Sequence, residues 1–385
     1  MTMAQLATRE NPATEVTTDV RVVDCDVHPY PRRGALHEYL DPKFVKEQRL
    51  RAEGANNGIF YDAPDFNFAQ AMRVDSFPDD GEFACTDPDL AFRQLVLESG
   101  SDLVILGPTS GGGGDTEEEV TAMAAATNKW QEVHWLDREN NWHGRFFGSI
   151  CANIAEPERA AREIETWAGH DKYKQILIHA EPRPAWGHPK YDPVWAAAVK
   201  HDIPVSCHLG RGKHNLLPMS PVGFMTYNHD FMVTYSMLAA NQVMSLIFDG
   251  VFDRFPTLRI VFIEHAYSWI LPLMWRMDAI HEARGNELGL KKKPSDYVRD
   301  NIWFTTQPLD SPEDKLELTN ALEWMEADKI LLFSSDYPHW TFDEPRWLAK
   351  HLPAQMRDAV MFQNGIDLFH LPSKVSALAG QVKAF

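Results

Sequence analysis

Eight apolar runs separated by helix-like stretches constrain this chain more than any other feature. They run from Val20 to His28, Asp102 to Gly107, Arg145 to Ile154, Lys174 to His179, Ile203 to Leu209, Leu258 to His265, Asn301 to Thr305 and Lys329 to Asp336. Most are near-continuous in apolar residues rather than alternating, the pattern of parallel strands buried on both faces. Between them lie helical patterns, the clearest over Thr116–Asn141, Glu156–Ala168, Pro193–His201, Ser236–Phe255, Ser268–Glu282 and Pro312–Met325. Strand and helix alternating along the whole chain predict one α/β domain. Eight units predict a closed (β/α)8 TIM barrel, and 385 residues suit such a barrel with insertions. The competing open, doubly wound sheet usually carries fewer strands and a phosphate-binding turn after the first one, and no such turn is present.

Residues 1–20 read as a flexible polar tail and 21–385 as the barrel domain. Two segments exceed what a plain barrel needs. Residues 30–100, following the first strand, are rich in aromatics, Pro and Asp and read as a cap over the site or an oligomer contact. Gly210 to Asp230 follow the fifth strand and read as a substrate lid, because long loops at the catalytic end of a barrel carry function.

Composition narrows the function classes. A net charge of −18 disfavours nucleic acid, which is bound through Lys and Arg on phosphates, and an anionic membrane surface. No stretch is long and apolar enough to span a bilayer, and the N-terminus lacks the layout of a signal peptide; a cytoplasmic protein is expected. The four cysteines form no C-x-x-C pair, so they read as buried thiols of a reducing compartment.

The chemistry is expected where the strands end. A barrel presents its reactive groups at the C-terminal ends of its strands, and here those ends carry Asp26, His28, His208, His265 and Asp336. Asp26 and His28 share a strand face, because side chains alternate. A lone histidine at a strand end is usually structural; five ligand-type residues on four strands make a metal site. Imidazole mixed with carboxylate suits zinc, iron or manganese better than calcium or magnesium.

With these residues in place, the chain resembles the amidohydrolase superfamily. The resemblance rests on Asp26-x-His28, on His208, on the run from Phe255-Pro256 to His265, and on Ser335-Asp336-Tyr337-Pro338. Within the superfamily it is similar to the branch containing aminocarboxymuconate-semialdehyde decarboxylase and related aromatic-acid decarboxylases. This implies a distorted TIM barrel, a metal held by Asp26, His28, His208 and Asp336, and His265 as a ligand or an acid/base. Many hydrolytic members bridge two metals with a carboxylated lysine on the fourth strand; this chain has His179-Ala180-Glu181 there. If His179 and Glu181 reach the metals, four histidines and three carboxylates surround two ions, iron and manganese favoured and zinc acceptable. That set is similar to the dinuclear non-haem oxygenases typified by 2-aminoisobutyrate hydroxylase. The similarity implies a monooxygenase that uses dioxygen to hydroxylate an aliphatic C–H bond of a small amino acid, with His265, Asp336 and Glu181 catalytic. It also implies a hetero-oligomer with a paralogous subunit, or a homo-oligomer.

Three other functions share the residues: a metal-dependent hydrolase of an amide or ester, a decarboxylase of a small carboxylic acid, and a non-catalytic scaffold subunit. Arg183 and Arg211 lie just past the fourth and fifth strands and could pair with a substrate carboxylate, although a surface cation over an acidic barrel is the plainer reading. His339 could line the pocket or pack the last loop. The Gly111–Gly114 run is followed by acidic residues that would repel phosphate, so it reads as a flexible loop.

Overall fold

The computed structural model describes residues 20–54, 72–109, 116–137, 144–179, 184–208 and 228–374, together with Gly114 and Asn141. The expected tail, Glu181, Arg183, Arg211, most of the 210–230 loop and most of the 111–114 run lie outside these residues.

All eight expected strands form. They are β1 (Val23–Val27), β2 (Leu103–Leu106), β3 (Phe146–Cys151), β4 (Tyr173–His179), β5 (Val205–His208), β6 (Ile260–Ile263), β7 (Ile302–Thr305) and β8 (Leu331–Leu332). They lie side by side in chain order, every pair parallel. β8 returns to β1 through the N–H of Cys25 on Phe333 O at 3.0 Å, the N–H of His28 on Tyr337 O at 2.8 Å and the N–H of Asp336 on Asp26 O at 3.1 Å. The sheet therefore closes into the TIM barrel that the alternation predicted. Several strands are shorter than their apolar runs. The clearest case is the run over Lys329–Asp336: residues 327–330 wind into a helical turn, and only two residues pair as β8.

The helices sit between strands and cover the sheet. The pattern over Ser236–Phe255 resolves into Asn228–Phe248 and Val251–Arg254, broken at Gly250, whose φ of +69° a glycine adopts at little cost. Thr116 caps the helix over Glu117–Gln131, its hydroxyl accepting from the N–H of Glu119, and three glutamates in the first turn favour the helix dipole. No helix of the described residues is long and apolar enough to cross a membrane.

Two packed regions matter for the site. One cluster joins Val23, Cys25, Leu103, Ile105, Phe147, Val261, Ile263 and Leu332, and it continues into Phe362, Ile366 and Phe369 near the C-terminal end of the described chain. A larger cluster holds the strand residues that meet the helices, Val27, Val104, Leu106, Cys207 and Phe262 among them. Val23, Cys25 and Val27 ought to share one strand face, yet Val27 belongs to the second cluster. The β1–β2 register slips between Asp24 and Val27. Such a bulge re-aims the residues after it, and it is what turns Asp26 and His28 together into the barrel mouth.

The described part of the segment after β1 meets the loop after β8. It includes the helix Pro42–Gly54 and short turns further on. Met72 pairs with His339 in an antiparallel bridge, and the N–H of Arg73 donates to Pro338 O at 2.8 Å. The inserted residues are thus fastened to the loop after β8.

Candidate metal centre

Asp26, His28 and His208 bring ligand atoms within 4.8 Å of one another, and His28, Asp336 and His339 do the same. The two groups share His28 and meet at the C-terminal mouth of the barrel. Asp26, His28 and Asp336 are fully buried and His208 is 2% exposed. Neither group includes His179 or His265.

Hydrogen bonding fixes which nitrogen of His28 faces the centre. Its Nδ1 lies 2.8 Å from the carbonyl oxygen of Gly107. A carbonyl only accepts, so Nδ1 carries the proton and Nε2 presents a lone pair. That Nε2 is 3.2 Å from Asp336 Oδ1 and 3.3 Å from Asp26 Oδ1. Three acceptor atoms thus face one another. Both oxygens of Asp26 are buried and have no well-formed hydrogen bond among the described residues, an arrangement that costs free energy unless something positive stands among them. In the metal-free protein a proton on His28 serves. Burial pulls that imidazole down, but Asp26 and Asp336 outweigh it and hold it well above its ordinary value. A divalent cation serves better. The donor set, imidazole nitrogens and carboxylate oxygens with a carbonyl orienting the histidine from behind, is of the kind transition metals take. Asp26, His28, His208 and Asp336 fit such an ion.

The remaining electrostatics follow from crowding. Burial lifts the Asp26 carboxyl above the ordinary range, with Asp336 adding to the effect and His28 opposing it. Asp336 goes the other way: burial raises it, but His339 and His28 more than compensate and leave it ionised well into acid. His339 Nδ1 bonds Asp336 Oδ1, and the Thr341 hydroxyl donates to Asp336 Oδ2 at 2.7 Å.

Glu264 was absent from the expected set, and the structure places its Oε2 3.3 Å from His208 Nε2. Burial, then the charges of Asp336 and Asp26, raise its carboxyl well above the ordinary value. The backbone explains both the omission and the fate of His265. β6 ends at Ile263, and Glu264 and Ala266 take φ of +60° and +54°. These left-handed residues break the alternation that the sequence suggested. Glu264 turns toward the centre, while His265 turns to Cys207, its Nε2 3.4 Å from Sγ, and to the ring of Phe262. The only sequence signal for Glu264 was its place beside the histidine at the end of an apolar run.

His179 ends β4 in register with His208. Its Nδ1 is buried without a hydrogen-bond partner among the described residues, and burial lowers its imidazole to about 4, so it is neutral at physiological pH. His339 faces His28 with ring centroids 4.8 Å apart, which puts it inside the centre rather than at its rim. All four cysteines are buried free thiols, and burial raises Cys25, Cys85 and Cys151 further from reactivity.

Comparison with known proteins agrees with this geometry. The family model for amidohydrolases matches residues 23–371, and the chain belongs to that family. Among curated proteins it is 29% identical over 212 residues to the decarboxylase orsB of Emericella nidulans, a match covering 50% of this chain and 59% of that relative. The chain therefore spans less than two thirds of the relative's length. Its fold is similar to that of the amidohydrolase map2389c of Mycobacterium avium subsp. paratuberculosis, with a TM-score of 0.69, 21% identity, and coverage of 91% of this chain and 99% of the other. It is likewise similar to the 5-carboxyvanillate decarboxylase LigW2 of Novosphingobium aromaticivorans, solved with manganese and 3-methoxy-4-hydroxy-5-nitrobenzoic acid. There the TM-score is 0.64, the identity 20%, and the coverage 93% and 99%.

These findings correct one expectation. The dinuclear iron/manganese oxygenase acting on an amino acid such as 2-aminoisobutyrate gives way, because the relatives with a stated activity are decarboxylases, one of them holding manganese. The structure supplies a physical reason as well. A second ion was expected to draw on His179, Glu181 and His265; the first and last of these stand outside both donor groups, and Glu181 lies outside the described residues. What stands is an enzyme of the metal-dependent amidohydrolase superfamily with a site for a divalent cation.

Proposed function

We propose that the protein is a metal-dependent decarboxylase of a hydroxylated aromatic carboxylic acid. One observation carries this reading: a compact, buried set of mixed nitrogen and oxygen donors at the barrel mouth, in two groups that share His28. The decarboxylase relative and the aromatic acid held by the structurally similar manganese enzyme support the substrate class. Asp26, His28, His208 and Asp336 would hold the ion, which supplies Lewis acidity toward the substrate's carboxylate or an adjacent hydroxyl oxygen.

The chain's own residues provide the rest. Loss of carbon dioxide breaks the ring–carboxyl bond and leaves its electron pair on the ring carbon, which must take up a proton. Glu264 is the group suited to hold that proton, since its carboxyl reaches the centre beside His208 and burial raises it above the ordinary value in the metal-free protein. Asp336, kept ionised by His339 and His28, is suited to ligation. The inserted residues are fastened at Met72 and Arg73 to the loop that carries His339.

The test is direct. Protein reconstituted with manganese is offered a panel of ortho- and para-hydroxylated benzoates, and carbon dioxide and the decarboxylated arene are measured. Stoichiometric release of both from at least one acid, abolished by chelator, is expected. Metal-loaded protein that turns over none of the panel refutes the proposal.

A further inference from the structure

We propose that Thr341 is a positioning residue for Asp336, fixing the plane of its carboxylate toward the metal centre. The inference rests on that centre and not on the identity of the substrate. The torsion that rotates a carboxylate is soft and nearly two-fold, so packing alone defines it poorly; hydrogen bonds must do so. Two ring nitrogens approach Asp336 Oδ1: His28 Nε2 at 3.2 Å, which donates only in the metal-free protein, and His339 Nδ1. Both act on one oxygen, which makes that oxygen a pivot and leaves rotation about it undetermined. The other oxygen, Oδ2, takes the Thr341 hydroxyl at 2.7 Å. That bond sets the plane and leaves Oδ1 turned toward His28 Nε2, where a cation would be held.

The loop is built to deliver this hydroxyl. The N–H of His339 donates to Asp336 O at 2.8 Å, that of Phe342 to His339 O at 3.1 Å and that of Asp343 to Ser335 O at 3.0 Å. These bonds fold residues 336–343 back on themselves, so a side chain five positions on reaches the carboxylate. Threonine is suited to the task because its branched Cβ restricts χ1. Asp336 itself sits at φ +62°, a conformation that non-glycine residues keep only where their surroundings hold them.

The experiment measures manganese affinity of the full chain by competition with a chromogenic chelator. Thr341→Val replaces the hydroxyl with a methyl of the same shape, and Thr341→Ser restores the donor. Removal of a hydrogen bond to a metal ligand typically weakens binding ~10–100-fold. That loss is expected for Thr341→Val, with the metal-free variant still unfolding cooperatively on heating and affinity recovered in Thr341→Ser. Should Thr341→Val not fold, Thr341→Ala provides the same comparison. The proposal is overturned if the hydroxyl-free variant binds manganese as tightly as wild type, or if Thr341→Ser is as weak as Thr341→Val. Normal manganese binding with the expected Thr341 effect, but no decarboxylation of any acid tested, sinks only the functional reading.

Discussion

Replacing the buried Asp24 by asparagine should stabilise the protein at alkaline pH. Asp24 is fully buried at the seam between β1 and β8. Its Oδ1 accepts from the N–H of Ser335 at 2.9 Å and of Asp26 at 3.3 Å, while Oδ2 has no partner among the described residues. Burial raises the carboxyl from 3.8 to about 7, and the hydrogen bonds from Ser335 only partly oppose it. Between these values the folded protein keeps a proton that the unfolded chain has released, so stability falls as pH rises. It is fully present below about 4 and lost by about 7. The span from 3.8 to about 7, at ~1.4 kcal/mol per pH unit, amounts to ~4 kcal/mol. An asparagine in its place cannot ionise and retains an oxygen for Ser335. The assay is urea unfolding of chelator-treated protein and of Asp24→Asn from pH 4 to 8. The other shifted carboxyls titrate in both proteins and cancel in the difference. The variant should gain on wild type by up to ~4 kcal/mol across that range. Parallel profiles would mean that Asp24 is already charged in the fold and that the desolvation argument is mistaken.

Other substitutions probe the centre and the barrel beneath it. Glu264→Gln should lower kcat by ~10²–10⁴-fold, the usual contribution of a proton-transfer group, while manganese binding persists; a variant that turns over normally removes Glu264 from proton transfer. His265→Ala should leave manganese content unchanged, because that imidazole faces Cys207; loss of the ion would return His265 to the ligand set. Gly148→Ala should destabilise by ~1–3 kcal/mol through overpacking, since a Cβ there would stand 2.7 Å from Leu136 Cδ1 and 3.1 Å from Tyr173 Cε1; an unchanged urea midpoint would show that both neighbours can yield.

The barrel was legible because its strands are buried on both faces and so write themselves as apolar runs, each closing on a polar residue. Strand ends were less legible, as β8 illustrates: Lys329 and Ile330 have the composition of a strand but wind into a helical turn, and nothing local distinguishes the two outcomes. Strand alternation brought Asp26 and His28 to one face, which the 3.3 Å separation of Oδ1 and Nε2 bears out. Yet it could not foresee the register slip that aims the pair, since a bulge depends on how β1 meets β2.

The same limit accounts for the exchange of Glu264 and His265. A period of two assigns neighbours to opposite faces, and histidine is the more familiar metal ligand, so the sequence favours His265. Left-handed backbone at Glu264 and Ala266 reverses the assignment, and such strain is invisible in composition because neither residue is a glycine. Asp336, too, has positive φ. Two of the carboxylates at the centre therefore depend on backbone that costs ~1–3 kcal/mol at each position. The closing hydrogen bonds between β8 and β1, and the N–H of Glu264 on Thr305 Oγ1 at 3.1 Å, are what hold those conformations. Gathering so many acceptors in one buried place opposes folding of the metal-free chain. A cation that binds only the folded form offsets this, so metal affinity and the stability of the barrel mouth are two measures of the same interaction.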